Sequence, residues 1–287
     1  MNKNWIVLTY RFLLFLIIPW NFYIFTPFYY EKILYIWYNE TGGRMQIKYR
    51  DINVNYIQYG EGSDIILLHG WGQNIEMMRP LGDPLSKNHR ITILDFPGFG
   101  ESEEPKEPWT IKDYALLIEY MVKELKIKKP IVMGHSFGGR VAIRYSSNNA
   151  IEKLVLFGAP CIRTERKPSL KVRVLKKIKT LPGMDSIGEK MKKYIGSRDY
   201  KAASPMMRQI LVNTVNEDLS SFAKQIEEPT LLIWGENDTE APLRDAKDLE
   251  KIMLDGALIV LPGTHYAYLE NLGRVLSILD TFIEGDE

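Results

Sequence analysis

The sequence predicts an α/β fold in which a mostly parallel, doubly wound sheet carries an inserted helical cap. Three observations lead there. Six short apolar runs, Ile65–Leu68, Ile91–Leu94, Ile131–Met133, Leu154–Phe157, Leu231–Trp234 and Leu258–Leu261, have the length and composition of strands buried on both faces. Amphipathic segments separate most of them, as crossover helices would. Between Phe157 and Leu231 no such run occurs, and Pro168, Pro182, Gly183, Gly188, Gly196 and Pro205 break a helical stretch into pieces.

Taken in order, the chain opens on an aromatic segment, with 14 of its 33 aromatic residues in the first 40 positions and no charge from Phe12 to Tyr30. A spanning helix needs roughly 20 apolar residues, so this run is just long enough, although Pro19, Asn21 and Pro27 weaken it. Residues 1–40 therefore read as a membrane anchor or, alternatively, as an aromatic arm packed on its own domain or on a second subunit. Residues 45–50 and 53–59 alternate apolar and polar positions about Asp51-Ile52, which predicts an antiparallel hairpin. Ile111–Leu125 places Ala115, Leu116, Ile118, Met121, Val122 and Leu125 at helical spacing, and a second helix is expected over Arg140–Ser147. The predicted division is a hydrophobic segment 1–40, an α/β core of 41–160 and 223–287, and a helical cap over 161–222.

Composition excludes several classes. Cys161 is the single cysteine, so no disulfide framework, zinc ribbon or iron–sulfur cluster can form within the chain. Neither a metal-ligand cluster nor a G-x-G-x-x-G after a strand is present, so activity is expected to need no metal, no nucleotide and no other cofactor, and no nucleic acid is expected as a partner.

The chemistry centres on Gly134-His135-Ser136-Phe137-Gly138, which fits G-x-S-x-G at a predicted strand-to-helix junction. Such a turn closes only if the residues two positions either side of the serine lack side chains, a need met by Gly134 and Gly138. A serine hydroxyl is a weak nucleophile until a base takes its proton. Of the four histidines, His69 ends a strand, His89 precedes one in a charged segment and His135 lies inside the turn. His265 follows the last strand and would share the carboxyl edge of the sheet with Ser136. The order serine, acid, histidine asks for a carboxylate between them, and Asp238, four residues past Leu231–Trp234, fits. Glu236 is its nearest rival, whereas Asp245 and Asp248 read as the solvated face of a helix. Oxyanion donors would be the backbone N–H of Phe137 and, from the flexible loop His69-Gly70-Trp71-Gly72, that of Trp71.

Together His69–Gly72, the Asp95–Gly100 turn, Gly134–Gly139, Asp238 and His265 resemble the α/β-hydrolase superfamily, especially its esterase, lipase and carbon–carbon hydrolase branch, over about residues 45 to 287. The resemblance implies a lid between the sixth and seventh strands and hydrolysis of an ester or related acyl substrate. Serine at position 136 speaks against haloalkane dehalogenases and epoxide hydrolases, which carry aspartate there. Two features depart from the common pattern: Tyr266-Ala267 follows His265, and the first 40 residues have no counterpart in the minimal fold. The alternatives left open are carbon–carbon bond hydrolysis or acyl transfer on the same three residues, and a non-catalytic binding protein. Residues 161–208 hold fourteen Lys or Arg against four acids, which suggests a cap facing an anionic membrane surface or an acidic acyl carrier. With Lys32, Arg44, Lys48 and Arg50 following the apolar run and only Lys3 and Arg11 before it, the charge bias favours a cytoplasmic catalytic domain, membrane-associated or, alternatively, soluble.

Overall fold

A computed structural model describes residues 43–162 and 198–285; the aromatic segment 1–40 and most of the basic stretch lie outside the described residues. The chain enters the sheet through a hairpin, β1 (Met45–Tyr49) and β2 (Ile52–Tyr59), whose two-residue turn is Arg50-Asp51, one position earlier than the alternation suggested. Both turn residues hold positive φ, 45° and 59°, the mirror-image turn that matches the twist of antiparallel strands. The remaining strands are β3 (Ser63–Leu68), β4 (His89–Leu94), β5 (Ile131–His135), β6 (Leu154–Phe157), β7 (Thr230–Gly235) and β8 (Gly256–Leu261). They form one eight-stranded sheet in the order β1-β2-β4-β3-β5-β6-β7-β8. β1 and β2 pair antiparallel, as do β2 and β4, and every other neighbour is parallel. Each apolar run of the sequence therefore lies within a strand; Leu154–Phe157 is the whole of β6, and the other five strands extend beyond their runs at one or both ends.

Apolar residues occupy both faces of the central strands, so each face needs its own helical cover. One layer consists of α1 (Arg79–Leu85), followed near the C-terminus by α8 (Ala267–Glu270) and α9 (Leu272–Glu284); Leu81, Leu85, Val275 and Leu279 pack there against Ile65, Leu67, Ile91 and Ile93. The other layer includes α2 (Ile111–Glu124), α3 (Phe137–Ser146) and α7 (Leu243–Ile252). On α2 the buried stripe is Ile111, Tyr114, Ala115, Leu117, Ile118 and Met121, so Tyr114 and Leu117 take the core positions the spacing gave to Leu116 and Val122. Its first turn is fixed by Asp113, whose carboxylate accepts the Thr110 N–H at 2.9 Å.

Between β6 and β7 the described part of the insertion contains α4 (Arg198–Ala202), α5 (Pro205–Asn216) and α6 (Ser220–Ala223). Its two ends meet, because Leu219 N–H donates to the Cys161 carbonyl at 3.0 Å. The guanidinium of Arg140, buried on α3, then donates to the carbonyls of Pro160, Thr214 and Glu217. That cation satisfies carbonyls at the C-terminal end of α5, where helix dipoles favour positive charge. Met207 of α5 also lies over the Asp95–Gly100 turn, so close to Gly98 that an added Cβ would overlap its sulfur.

Candidate active site

Residues following β3 to β8 converge at the carboxyl edge of the parallel sheet. β5 ends at His135, and Ser136 takes φ 50°, ψ −112° before α3 begins at Phe137. Such backbone angles cost a non-glycine residue about 1–3 kcal/mol, a strain the surrounding contacts must sustain. They do so by crowding. A Cβ added at Gly134 would stand 2.6 Å from the Gly138 carbonyl carbon, and one at Gly138 would stand 2.2 Å from the Leu68 carbonyl oxygen. The helix thus starts at Phe137, three residues before the apolar spacing suggested, because the turn itself launches it. As the first helical residue, Phe137 has an N–H without an intrahelical acceptor.

Asp238 lies three residues past β7 and His265 four past β8, and His265 Nδ1 stands 2.8 Å from Asp238 Oδ2. A carboxylate only accepts, so Nδ1 carries the proton and Nε2 is left with its lone pair free. Asp238 is itself fixed, since Oδ1 accepts the N–H groups of Glu240 at 2.9 Å and Ala241 at 2.8 Å. Both side chains are buried, whereas Glu236, the rival carboxylate, is exposed and accepts from Asn237. Asp248 is half-exposed as expected, but Asp245 is buried, ion-paired to Arg244 in the first turn of α7. Ser136 is tied to the pair through one strand: its N–H donates to the Phe157 carbonyl at 2.9 Å, and the next residue, Gly158, abuts Asp238 Oδ2 and His265 Nδ1. A Cβ at Gly158, where φ is +52°, would lie 3.2 Å from each of those atoms. Nothing in the sequence reading singled out Gly158, although its place directly after β6 puts it on the same edge.

Trp71 occupies the loop after β3, its ring stacked edge-on against Phe99 at 4.8 Å and Phe137 at 5.4 Å. Its backbone is placed by His69, which donates from Nδ1 to the Gly70 carbonyl at 2.7 Å and accepts the Phe96 N–H at Nε2, 3.0 Å away. Asp95 holds the adjoining turn, accepting from Ile75 N–H, Glu101 N–H and the Asn55 amide, each at 2.8 Å. His69 and Asp95 are therefore struts of the loops rather than reacting groups. Glu240 reaches the other side of the imidazole, with its carboxylate 3.6 Å from His265 Nε2. Among the described residues no group of three or more His, Cys, Asp or Glu is placed to hold a metal ion, and no helix is long and apolar enough to cross a membrane.

Burial keeps two further imidazoles neutral: it pushes His69 down to about 4 and His135 down to about 3, from the ordinary 6.5. A ring whose folded pKa is depressed contributes stability above its unfolded value, and that stability is lost as pH falls toward the folded value. Stability should therefore decline from about pH 6.5 to about pH 4, with a drop from pH 7 to pH 5 of about 2 kcal/mol per ring. Urea unfolding at the two pH values measures it. The His69→Gln protein should lose about half of this pH-dependent drop; an unchanged drop would mean His69 titrates normally.

A family model for the alpha/beta hydrolase fold matches residues 65–179, from β3 through the serine turn into the insertion. The chain is 26% identical over 252 residues to the AB hydrolase superfamily protein YisY of Bacillus subtilis, covering 78% of this chain and 92% of that one. It is 24% identical over 249 residues to a pimeloyl-acyl-carrier-protein methyl ester esterase of Aliivibrio fischeri, covering 78% and 95%. Among solved structures, a bacterial membrane phospholipase A described as a virulence factor superposes with a TM-score of 0.70 at 17% identity, covering 99% of each chain, a likeness of fold. The chain has the α/β-hydrolase fold, and the proteins it resembles in sequence include esterases.

Proposed function

We propose that the protein is a serine hydrolase that cleaves a carboxylic ester or related acyl substrate through an acyl-enzyme. The observation that carries this reading is the buried Asp238–His265 pair at 2.8 Å, one residue from the carbonyl that anchors the strained Ser136. Ser136 Oγ attacks the acyl carbon while His265 Nε2 takes the hydroxyl proton. Asp238 holds the imidazole in the tautomer that leaves Nε2 free and stabilises the imidazolium that forms. The N–H groups of Trp71 and Phe137 stabilise the developing oxyanion. His265 next returns the proton to the leaving alcohol, and water repeats the sequence to release the acid.

Residues 161–222 serve as the lid, a reading supported by Met207 on the Asp95–Gly100 turn and by Trp71, Phe99 and Phe137 beneath it, an apolar boundary suited to an acyl chain. The basic excess of residues 161–208 favours an ester with an acidic partner. An acyl carrier is one, since the Aliivibrio fischeri relative is named for such a substrate. An anionic lipid surface is the other, reached through residues 1–40 as anchor.

Labelling with a fluorophosphonate probe tests the nucleophile: one equivalent should attach to the native chain and none to Ser136→Ala. Undiminished labelling of Ser136→Ala would end the reading. Turnover of p-nitrophenyl esters beside a vinylogous diketone then separates ester hydrolysis from the alternative, carbon–carbon cleavage. Acyl transfer on the same residues would show as product formed with an alcohol acceptor.

A further inference from the structure

His135 and Gln73 take no part in the steps above, yet together they touch both halves of the site. His135 is the residue before Ser136, and its side chain lies between two loops. On one side its Nδ1 stands 3.2 Å from Gln73 Oε1, the same oxygen that accepts the Gly70 N–H at 2.8 Å. Gln73 N–H in turn donates to the Gly70 carbonyl at 3.2 Å, which closes residues 70–73 into a turn around Trp71. On the other side His135 Nε2 stands 3.1 Å from the His265 carbonyl, and the two imidazole rings pack at a tilt of 50° with centroids 4.8 Å apart. The contact leaves no slack, because a Cβ added at Gly70 would lie 2.8 Å from His135 Nδ1 and 2.9 Å from Gln73 Oε1.

We propose that Gln73 and His135 are positioning residues that lock the loop carrying the Trp71 amide to the loop carrying His265, across the nucleophile's own strand. This rests on the reading of Trp71 N–H as an oxyanion donor. A neutral imidazole has one N–H, and here two carbonyl oxygens flank it, so it donates to one loop while pressing on the other. An apolar ring of equal size would fill the space but leave the bonded oxygen without that donor, and the two loops could then settle independently. Donors act on an oxyanion only when they point at it with little reorganisation, so a shift of about 1 Å is enough to cost on the order of 100-fold in rate. Ground-state binding depends on the acyl pocket and hardly on this alignment. The effect should therefore appear in kcat and in affinity for tetrahedral adducts, with KM left nearly alone.

Gln73 is only half-buried, so its variants should fold, which thermal melting checks. Gln73→Met keeps the length and removes the acceptor; Gln73→Glu keeps an acceptor for Gly70 N–H. With p-nitrophenyl butyrate, Gln73→Met should lower kcat about 10- to 100-fold with KM within about threefold, and phenylboronic acid, which forms a tetrahedral serine adduct, should bind weaker by a similar factor. Gln73→Glu should recover most of the loss. Adding His135→Phe to Gln73→Met should cost little beyond the worse single change, since residues acting as one unit are non-additive. A loss confined to KM, unchanged boronate affinity, no rescue by Glu, or full additivity would overturn the proposal. Fluorophosphonate labelling of the native chain separates this from the parent reading: without labelling at Ser136 the serine mechanism itself fails, whereas normal labelling beside any of those four outcomes rejects only the positioning role.

Discussion

Asp238→Asn is expected to fold normally and to lose about 10⁴-fold in kcat, the scale seen when a triad histidine loses its orienting carboxylate. Folding should survive because Asn keeps the oxygen that accepts Glu240 N–H and Ala241 N–H, the two bonds that shape the turn after β7. Catalysis should not, because the group facing His265 Nδ1 at 2.8 Å changes from an acceptor to an amide that donates. His265 must then carry its proton on Nε2, the atom that has to receive the serine proton. Circular dichroism and steady-state kinetics on a p-nitrophenyl ester measure both halves. Glu236→Gln is the control, since that carboxylate is exposed and points to Asn237. Near-normal turnover in Asp238→Asn, with loss in Glu236→Gln, would reverse the assignment of the acid.

Much of this architecture was legible because each apolar run is short and all but Leu258–Leu261, on the edge strand β8 where Val260 is exposed, are buried. Runs such as Leu154–Phe157 have no polar face, so they can only be interior strands, and their alternation with amphipathic segments dictates a covered parallel sheet. The hairpin turn was misplaced by one residue since Arg50 and Asp51, both at positive φ, lack the Asn-Gly signature of such turns. Likewise α3 begins at Phe137 because the strained serine turn launches a helix that apolar spacing, starting from Val141, cannot see. The candidate triad could be read from chain order because strand ends of a parallel sheet share one edge, whatever their separation in sequence. What could not be read was anything depending on which side chains meet between loops. His135 reads only as a residue inside the G-x-S-x-G turn, Gln73 carries no signal, and Gly158 is one glycine among 21. Their significance arises from a contact across 62 residues between Gln73 and His135, and from the abutment of Gly158 on the Asp238–His265 pair. No periodicity encodes such tertiary distances.

Gly138→Val should be the most damaging change that removes no reacting group. Gly138 sits in the first turn of α3, and its α-carbon faces the last residues of β3 so closely that a Cβ would stand 2.2 Å from the Leu68 carbonyl oxygen and 2.6 Å from that of His69. Both atoms are backbone, and Leu68, the last residue of β3, lies opposite Gly134 on β5, so it cannot move without disturbing the sheet. The side chain must push α3 and the loop after β3 apart. Overpacking of this kind costs about 1–3 kcal/mol, and a β-branched residue in a backbone–backbone contact falls at the upper end. The catalytic loss should be larger than the stability loss suggests, because the displaced elements carry the two proposed oxyanion donors, Phe137 N–H and Trp71 N–H. Losing one such donor costs about 10²–10³ in kcat, and spreading both should reach at least that. Gly273→Ala in α9 serves as the comparison: nothing lies within 4 Å of its added Cβ, and alanine in a helix should raise stability by up to about 1 kcal/mol with activity unchanged. The decisive measurement is kcat at a temperature well below the melting point of the Gly138→Val protein. A folded variant with native kcat would show that the close approach of α3 to β3 does not set the donors, and would remove the structural basis for assigning the oxyanion hole to Trp71 and Phe137.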